Sequence, residues 1–485
     1  MGGGGEREPV PVRFGTDGWR GIIAEDFTFE RVRVVGQAVA SFLRAQGEEG
    51  RGIVIGYDRR FLSDRFARAL AEIAAGNGIH VLMGIAPFPT PVVSWVTRNH
   101  GLAAGLMVTA SHNPAAYNGI KFKPPYGGAA TEEVTARLEL EANRMLPEGD
   151  RDLPRLPFEE GLASGRISWL DPGDEYLRSV LALVETGAIG RAGLRVAVDV
   201  MHGAGAGYLD RAFEEAGAQV RRLRSETNPS FGGVNPEPVV QNLAPLLEGA
   251  GSFDLGIATD GDGDRVAMVD EKGNFVDPHR ILALLILHLA KGKGQKGAVV
   301  RTFSTTSMVD DLARRLGLEF RETPVGFKHI CRLMLEEDIL VGGEESGGIG
   351  VRGHIPERDA VLVALLIAEM MVLQGRTLSE LVEDLFRFLG RPYHYRRVDV
   401  EVPVERVAGL KEELCGNGVS RIGSQQVDRV ERLDGVKYHL ADGSWLLLRP
   451  SGTEPLIRIY AEAGDEDRAE ALVRDGRSLA ESLGL

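Results

Sequence analysis

Hydrophobic and polar positions alternate along the first part of the chain in the manner of a parallel sheet protein. Short apolar runs at residues 52–56, 79–83 and 105–108 predict buried strands. Between them, apolar residues recur at helical spacing, and residues 66–75 are predicted to form a helix. Helices that alternate with short apolar strands indicate βαβ units, so this region is expected to be α/β.

The same pattern begins again twice. A predicted strand at residues 194–200 is followed by a helix from Tyr208, and a third series starts with a strand near residues 255–258. The glycine-rich segment at residues 202–207 superficially resembles a dinucleotide-binding turn. Tyr208 stands where that motif requires glycine, so close packing of strand on helix is the favoured interpretation. Three series indicate that one domain type has been used three times.

The pattern changes after about Gln374. Polar and apolar residues alternate at residues 398–402, and two further strands at residues 438–440 and 445–448 are joined by a predicted turn. A terminal amphipathic helix follows, so this last unit is expected to be α+β. The stretch from about residue 147 to 173 is rich in proline, glycine and charge and predicts a linker. The predicted units are residues 1–170, 171–254, 255–373 and 374–485.

Composition narrows the functional classes. The 485 residues suggest roughly three to four domains, and 43% hydrophobic with 26% charged residues is a globular composition. A formal charge of −14 without a basic block excludes a typical nucleic-acid binder. The two cysteines, Cys331 and Cys415, favour a cytoplasmic location over a disulfide framework or cysteine-bound zinc. Apolar runs at residues 281–290 and 361–373 are too short for a membrane span, so we expect buried helices there.

Three aspartates predict a metal site. Asp260, Asp262 and Asp264 alternate with glycine directly after a predicted strand. Three carboxylates this close repel one another unless a cation holds them, and their hard oxygens suit Mg²⁺ or Mn²⁺. An EF-hand calcium loop is the nearest rival, but Arg265 occupies its required glycine position and residues 266–269 resemble a strand.

A serine stands at the end of another predicted strand. The sequence TASHNP at residues 109–114 places Ser111 at a strand's carboxyl end, where open α/β sheets carry their chemistry. With His112 and Lys121, three reactive side chains fall within eleven residues. The earlier segment FGTDGWRG at residues 14–21 projects Asp17 and Arg20 from a glycine-rich loop. Taken alone, each stretch is equally compatible with a solvated polar turn.

Two later loops could hold a phosphorylated sugar. The sequence RPSGTEP at residues 449–455 supplies a guanidinium, hydroxyls and turn amides, a combination that fits a phosphate. In the loop GGEESGG at residues 342–348, Glu344 and Ser346 could bind vicinal hydroxyls. A polar loop without a ligand remains the alternative for both. Together, the four segments favour phosphoryl transfer, which needs positioning and charge neutralisation, with a serine that must be activated.

Four of these motifs follow one another along the chain, at residues 109–114, 260–265, 343–347 and 449–455. Motifs of this kind in this order make the chain resemble the α-D-phosphohexomutase family along nearly its whole length. Within the family, the chain resembles bacterial phosphoglucomutases of the phosphoglucomutase/phosphomannomutase group most closely. The resemblance implies three related α/β domains with mixed sheets and a smaller C-terminal α+β domain around a central cleft. It also implies that Ser111 carries a phosphoryl group. Mg²⁺ would be held by Asp260, Asp262, Asp264 and an oxygen of the phosphorylated Ser111.

The resemblance further implies a reaction. The phosphoserine donates its group to a hexose phosphate, and the resulting glucose 1,6-bisphosphate turns over and returns its other phosphoryl group to the serine. The residues implied around the transferring phosphoryl group are Arg20, His112, Lys121 and Arg265, with His112 and Lys121 as candidates for proton transfer. Those implied to bind the rest of the substrate are Lys328, Glu344, Ser346, Arg449, Ser451, Gly452 and Thr453.

The loop at residues 342–348, here called the sugar loop, sets the expected specificity for the hexose. The glucosamine and mannose/glucose enzymes of the family usually carry a histidine where this chain has Gly348, so interconversion of glucose 1-phosphate and glucose 6-phosphate is favoured. Phosphomannomutase or phosphoglucosamine mutase is the alternative within the family. Outside it stand a metal-dependent phosphatase with an aspartate nucleophile and a sugar-phosphate binding protein without catalysis. The expected partner is a small hexose phosphate, without nucleic acid or membrane, bound by a monomer or homodimer.

Overall fold

The computed structural model describes residues 10–15, 17–402, 419–451 and 456–482. Within these residues the chain forms four sheets, one for each unit along the sequence. The first three sheets mix parallel and antiparallel pairs and carry helices, whereas the fourth is antiparallel throughout the described strands. The predicted fold class is confirmed.

The first unit is a seven-stranded mixed sheet. Its strands are β1 (Phe14–Gly15), β2 (Gly18–Ile22), β3 (Ile53–Tyr57), β4 (Val81–Gly84), β5 (Ala104–Val108), β6 (Tyr117–Lys123) and β7 (Ile167–Leu170). Its helices are α1 (Phe29–Gln46), α2 (Ser63–Gly76), α3 (Thr90–Asn99), α4 (Glu132–Met145) and α5 (Phe158–Ala163), with 3₁₀ turns at Glu49–Arg51 and Leu146–Glu148. The strand order is β1-β2-β6-β5-β3-β4-β7. All five residues of β3 and of β5 are buried, which explains their unbroken apolar sequence.

The second unit has a five-stranded sheet in the order β12-β11-β10-β8-β9. Its strands are β8 (Arg195–Asp199), β9 (Gln219–Leu223), β10 (Leu255–Thr259), β11 (Val266–Val269) and β12 (Phe275–Val276). Its helices are α6 (Gly173–Leu181), α7 (Thr186–Ala192), α8 (Leu209–Glu215) and α9 (Ala244–Glu248), with 3₁₀ turns at Phe231–Gly233 and Val240–Asn242.

The third unit has a four-stranded sheet in the order β14-β13-β15-β16. Its strands are β13 (Ala298–Thr302), β14 (Phe320–Thr323), β15 (Ile339–Gly343) and β16 (Ile349–Val351). Its helices are α10 (Pro278–Leu287), followed by a π-helical turn (His288–Gly292), α11 (Met308–Leu316), α12 (Phe327–Glu336), α13 (Ala360–Gln374) and α14 (Leu378–Leu389). The apolar run of α13 is buried on all sides, as its sequence predicts.

The fourth unit has a six-stranded antiparallel sheet in the order β17-β22-β21-β20-β19-β18. Its strands are β17 (His394–Glu401), β18 (Arg421–Ile422), β19 (Gln425–Glu431), β20 (Val436–Leu440), β21 (Trp445–Pro450) and β22 (Leu456–Ala463). The terminal helix α15 (Glu466–Ser482) packs its apolar residues Ala469, Leu472 and Val473 on this sheet.

Two features of the sheets differ from the sequence prediction. The stretch at residues 255–276, predicted to open the third unit, forms β10–β12 of the second sheet, because β10 pairs with β8 in parallel. Part of the predicted linker at residues 147–173 is also structured, since β7 pairs with β4 and buries Ile167. The composition of a stretch of this length does not show which strand it pairs with, because the pairing depends on a few of its residues. The domain boundaries themselves stay predictions.

Among the described residues, no single helix is long and apolar enough to cross a membrane. In the part of the chain that the structure describes, one pair of helices, α13 and α14, meets the test of length and composition together, and the two helices meet at a bend of 83°.

A buried glutamate joins the second and third units. Glu369, in the middle of α13, is fully buried. Its carboxylate lies 2.6 Å from His288 Nε2 and 2.8 Å from Lys293 Nζ, and it accepts the backbone N–H of Glu185 at 2.7 Å. Burial raises the pKa of Glu369, but the hydrogen bonds from His288 and Lys293 outweigh burial and hold the pKa below its ordinary value. An anion here is therefore part of the packing between the units.

We expect Glu369→Gln to lower the unfolding temperature at pH 7 by about 5 °C, because removing one partner of a buried ion pair costs on the order of 3 kcal/mol. A lowered pKa in the folded state contributes stability above the unfolded value of 4.5, and this is lost as pH falls through the folded pKa. The difference should therefore shrink in acid. Glu383→Gln, at an exposed ion pair with Lys272, is the control. Equal unfolding temperatures for both variants at pH 7 would contradict this role.

Candidate active site

Ser111 lies in the short loop at residues 109–116 between β5 and β6, here called the serine loop. Its backbone φ is +52°, in the left-handed region that residues with a side chain rarely adopt. The hydroxyl donates a hydrogen bond to Asp260 Oδ2 at 2.8 Å and lies 3.3 Å from His112 Nδ1. Because Asp260 follows β10 of the second sheet, this contact joins the first and second units.

The three aspartates form a compact oxygen cluster. Asp260, Asp262 and Asp264 are buried, and one oxygen from each lies within 4.8 Å of the others. Oδ1 of Asp262 and Oδ1 of Asp264 are buried without a hydrogen-bond partner among the described residues. Unpaired carboxylate oxygens are costly in a protein interior, and a divalent ion with hard oxygen ligands would satisfy them. The donor set therefore fits Mg²⁺.

Cations from other units balance these carboxylates. Lys121 Nζ, on β6, lies 2.7 Å from Asp262 Oδ2, 2.8 Å from Asp264 Oδ2 and 2.7 Å from Asp17 Oδ2. Burial lowers the pKa of Lys121, but the three carboxylates outweigh burial and raise it above its ordinary value. Lys121 is therefore a permanent cation at this point.

The pKa values within the triad move in opposite directions. Burial raises the pKa of Asp260, and the neighbouring Asp262 and Asp264 raise it further. Burial also acts on Asp262, but Lys121 outweighs it and holds the pKa of Asp262 below its ordinary value. The two pKa values move apart because Lys121 Nζ lies directly against Asp262, at 2.7 Å from its Oδ2.

His112 and Arg20 flank the serine. Desolvation within the site, reinforced by Arg265 and Arg20, holds the pKa of His112 well below its ordinary value, so its imidazole is neutral at pH 7. Arg20 Nη1 donates to Asn113 Oδ1 at 2.5 Å in the serine loop. Arg265 Nε lies 3.9 Å from carboxylate oxygens of both Asp260 and Asp264. A neutral imidazole thus lies beside the hydroxyl, while one arginine contacts the serine loop and the other lies near the aspartates.

The sugar loop connects to this cluster through an arginine that the sequence analysis did not single out. Glu344, between β15 and β16, accepts the backbone N–H of Gly326 at 3.1 Å and lies 3.7 Å from Arg358 Nη1. Arg358 in turn contacts Asp17 and lies 2.9 Å from Asp264. Ser346 lies in the same loop and is half-buried. The sequence analysis placed Asp17 in a glycine-rich loop, whereas the sequence signal for Arg358 is only a polar segment with Pro356 and Asp359 beside it.

The RPSGTEP segment that begins at Arg449, here called the phosphate loop, is connected to the third unit through Asp434 of the fourth unit. Arg449 Nε donates to Asp434 Oδ2 at 2.8 Å, and the same carboxylate oxygen accepts the backbone N–H of Val325 at 3.0 Å. Ser451 is buried, and its N–H bonds the carbonyl of Leu456. The predicted ligands Gly452 and Thr453 lie outside the described residues.

Lys328 is engaged elsewhere: its Nζ lies 2.6 Å from the exposed Glu132 at the start of α4. The remaining contacts form a continuous path from Arg449 through Asp434, the 325–326 backbone, Glu344 and Arg358 to Asp264, as the distances above show. Loops of all four units therefore meet. The arrangement combines a serine hydroxyl, a cation site, a neutral base and anion-binding guanidinium groups, which is the equipment for moving a phosphoryl group.

Glu344 should make stability depend on pH near neutrality. Burial raises the pKa of Glu344 to about 7, with Arg358 opposing and Glu345 adding to the shift. A raised carboxyl pKa contributes stability below the unfolded value of 4.5, and this contribution is lost as pH rises through the folded pKa.

Glu344→Gln removes this titration. Relative to the wild type, we expect the variant to gain stability between pH 5 and pH 8, by an amount on the order of 3 kcal/mol in the free energy of unfolding. Thermal unfolding at the two pH values measures it, with the exposed Glu336→Gln as control. A difference between variant and wild type that does not change with pH would show that Glu344 titrates normally.

Comparison with known proteins agrees with this arrangement. Profiles described as phosphoglucomutase/phosphomannomutase match in four consecutive segments: alpha/beta/alpha domain I at residues 11–146, domain II at 174–273, domain III at 277–388 and the C-terminal domain at 397–477.

Among similar proteins, a phosphoglucomutase/phosphomannomutase of Thermococcus kodakarensis is 32% identical, over 96% of this chain and 98% of its own length. A phosphoglucosamine mutase of Carboxydothermus hydrogenoformans is 32% identical, over 97% and 99%. The crystal structure of a proposed phosphomannomutase from Thermus thermophilus is 36% identical with a TM-score of 0.85, over 98% of this chain and 100% of that one. With four matching domains and relatives that align along their whole length, the chain belongs to the phosphoglucomutase/phosphomannomutase family of α-D-phosphohexomutases, enzymes of intramolecular phosphoryl transfer.

Proposed function

We propose that the enzyme interconverts hexose 1-phosphates and hexose 6-phosphates through a phosphoserine at Ser111. The observation that carries this proposal is the hydrogen bond of 2.8 Å between the Ser111 hydroxyl and Asp260, in a strained turn beside two further carboxylates. A hydroxyl held at a cation site, with guanidinium groups in contact with its loop and near the aspartates, suits a phosphoryl carrier.

Mg²⁺ would be held by Asp260, Asp262 and Asp264, and the buried oxygens of Asp262 and Asp264 that lack a hydrogen-bond partner among the described residues fit it. When bound, the ion neutralises charge on the phosphoryl group and its carrier. Arg20, in contact with the serine loop, and Arg265, near Asp260 and Asp264, would supply further positive charge.

His112 is better suited to proton transfer than Lys121. The imidazole is neutral and its Nδ1 lies 3.3 Å from the Ser111 hydroxyl oxygen, so it can accept that proton when the serine is phosphorylated and return it when the serine is released. Lys121 is held by three carboxylates that keep it protonated, and its part would be to hold charge.

The reaction would run in two transfers. A hexose hydroxyl attacks the phosphoserine, and the bond between phosphorus and Ser111 Oγ breaks. The proton that the attacking hydroxyl loses would replace the one that His112 returns to Oγ, and a hexose bisphosphate forms. The bisphosphate then reverses its orientation, and its other phosphoryl group returns to Ser111. Arg449, oriented by Asp434, would grip the phosphate that is not reacting, while Glu344 and Ser346 would bind sugar hydroxyls.

The prediction of glucose phosphates as the preferred substrates is not confirmed, because the named relatives include mannose and glucosamine enzymes. We propose glucose and mannose phosphates as substrates, and the glucosamine-specific relative makes phosphoglucosamine mutase the second candidate. A side chain at Gly348 would place its Cβ 2.2 Å from Arg358 Cδ. The histidine of related enzymes therefore cannot enter here unless Arg358 moves.

Ser111→Ala should reduce turnover by about 10³-fold or more, because it removes the phosphoryl carrier. A coupled assay with hexose 1-phosphate, Mg²⁺ and a trace of glucose 1,6-bisphosphate measures this, and intact mass should show that the variant carries no phosphoryl group. Ser164→Ala, at an exposed serine after α5, is the matched control. Release of inorganic phosphate from the sugar phosphate that persists in Ser111→Ala would favour a phosphatase with an aspartate nucleophile. Binding of sugar phosphate without any isomerisation would indicate a binding protein.

Side-by-side turnover on glucose, mannose and glucosamine 1-phosphates should show kcat/KM values for glucose and mannose within about tenfold of each other, since the two differ only in the orientation of one hydroxyl. The glucosamine compound should be a poorer substrate. The opposite ranking, with glucosamine 1-phosphate preferred, would establish the second candidate in place of the first.

A further inference from the structure

Arg60 lies beneath the serine loop and binds its backbone. Arg60 comes three residues after the end of β3, and it is 3% exposed. Nη2 donates to the carbonyls of Ser111 and Asn113, both at 2.6 Å, and Nη1 donates to the carbonyls of Pro114 and Tyr117 at 2.8 and 3.1 Å. One guanidinium thus satisfies three carbonyls of the loop that carries the nucleophile and the first carbonyl of β6.

The loop needs such support because Ser111 is strained. A left-handed φ costs a residue with a side chain on the order of 1–3 kcal/mol and persists only where its surroundings dictate it. The Ser111 N–H bonds Thr109 Oγ1 at 2.9 Å, and Thr109 in turn donates to Asp58 at 2.6 Å. Asp58 also lies 3.2 Å from Arg60 Nε. The backbone on both sides of the serine is therefore held by one Arg60–Asp58 pair.

The second unit covers this pair with an aromatic ring. Phe231 is fully buried, and its ring centre lies 4.8 Å from the Arg60 guanidinium carbon. Phe231 itself has a φ of +54°, next to two glycines with positive φ. A stacked ring excludes water and favours the guanidinium plane in one orientation. The orientation of the donors toward the serine loop therefore depends on contact between the units.

We infer that Arg60, with Phe231 stacked on it, is a positioning residue that holds the Ser111 loop in its left-handed conformation and directs the hydroxyl toward Asp260. The inference rests on the proposed role of Ser111 as phosphoryl carrier. A guanidinium is required because its five N–H groups form a rigid planar fork, whereas a lysine presents three donors on one atom and cannot reach four separated carbonyls.

Arg60→Lys retains the charge and removes the fork. We expect kcat to fall by about 10²-fold, the effect of misplacing a reacting group by roughly 1 Å. KM for the hexose phosphate should stay within about threefold, because Arg60 contacts none of the proposed phosphate or hydroxyl ligands. A single-turnover measurement of phosphoryl transfer from glucose 1,6-bisphosphate to the dephosphorylated enzyme should slow by the same factor.

The control is Arg68→Lys. Arg68 belongs to α2 of the same unit and also stacks on an aromatic ring, with its guanidinium carbon 4.7 Å from the centre of Phe158. Losing this stacked arginine should leave kcat and the single-turnover rate within about twofold of the wild type, because the pair does not touch the serine loop.

A second variant, Phe231→Leu, keeps the packing apolar and removes the stacked ring. It should lower kcat by about tenfold with KM unchanged. If Arg60→Lys does not fold, Phe231→Leu tests the inference alone. A lower unfolding temperature of Phe231→Leu without a lower single-turnover rate would overturn the inference. Unchanged rates in Arg60→Lys would also overturn it. The proposed function fails separately, if the wild type takes up no phosphoryl group at Ser111.

Discussion

Neutralisation of buried carboxylates is the constraint on which the arrangement of the units depends. Asp262 and Asp264 lie in the loop between β10 and β11 of the second unit. The cations that balance them, Lys121 and Arg358, come from the first and third units. An unpaired charge in a protein interior is very costly, so none of these groups could be buried without the others. The site therefore exists only where the units meet, and the charge cluster itself helps to fix how they meet.

The three related units present their chemistry in the same way. Ser111, Asp260 and Glu344 each follow within a few residues a buried parallel strand, β5, β10 and β15, and each loop then returns as an antiparallel strand. Carboxyl ends of parallel strands are where open α/β sheets bind ligands. Using one strand–loop–strand device three times brings a hydroxyl, a carboxylate cluster and a sugar loop to a common centre. The fourth unit adds an arginine held by Asp434.

Much of the fold could be predicted from local patterns. Buried strands such as β3 and β5 are short apolar runs, and α13 is an apolar run too long for a strand, so hydrophobic burial alone specifies them. The stretches at residues 147–173 and 255–276 were harder, because their place depends on which distant strand they pair with. Asp434 and Arg60 gave no sequence signal as parts of a site, since each acts through backbone groups of remote loops.

The sequence by itself determined the family, the alternation of elements and the residue types available for phosphoryl transfer, because motifs and periodicity are properties of neighbouring residues. Only the tertiary structure decided which charges neutralise one another, that Lys328 pairs with Glu132 and that Arg358 fills the space beside Gly348. It also decided the neutral state of His112, which results from desolvation and from arginines far away in the chain. These properties depend on distances of a few ångströms between separate units, and no local pattern encodes such distances.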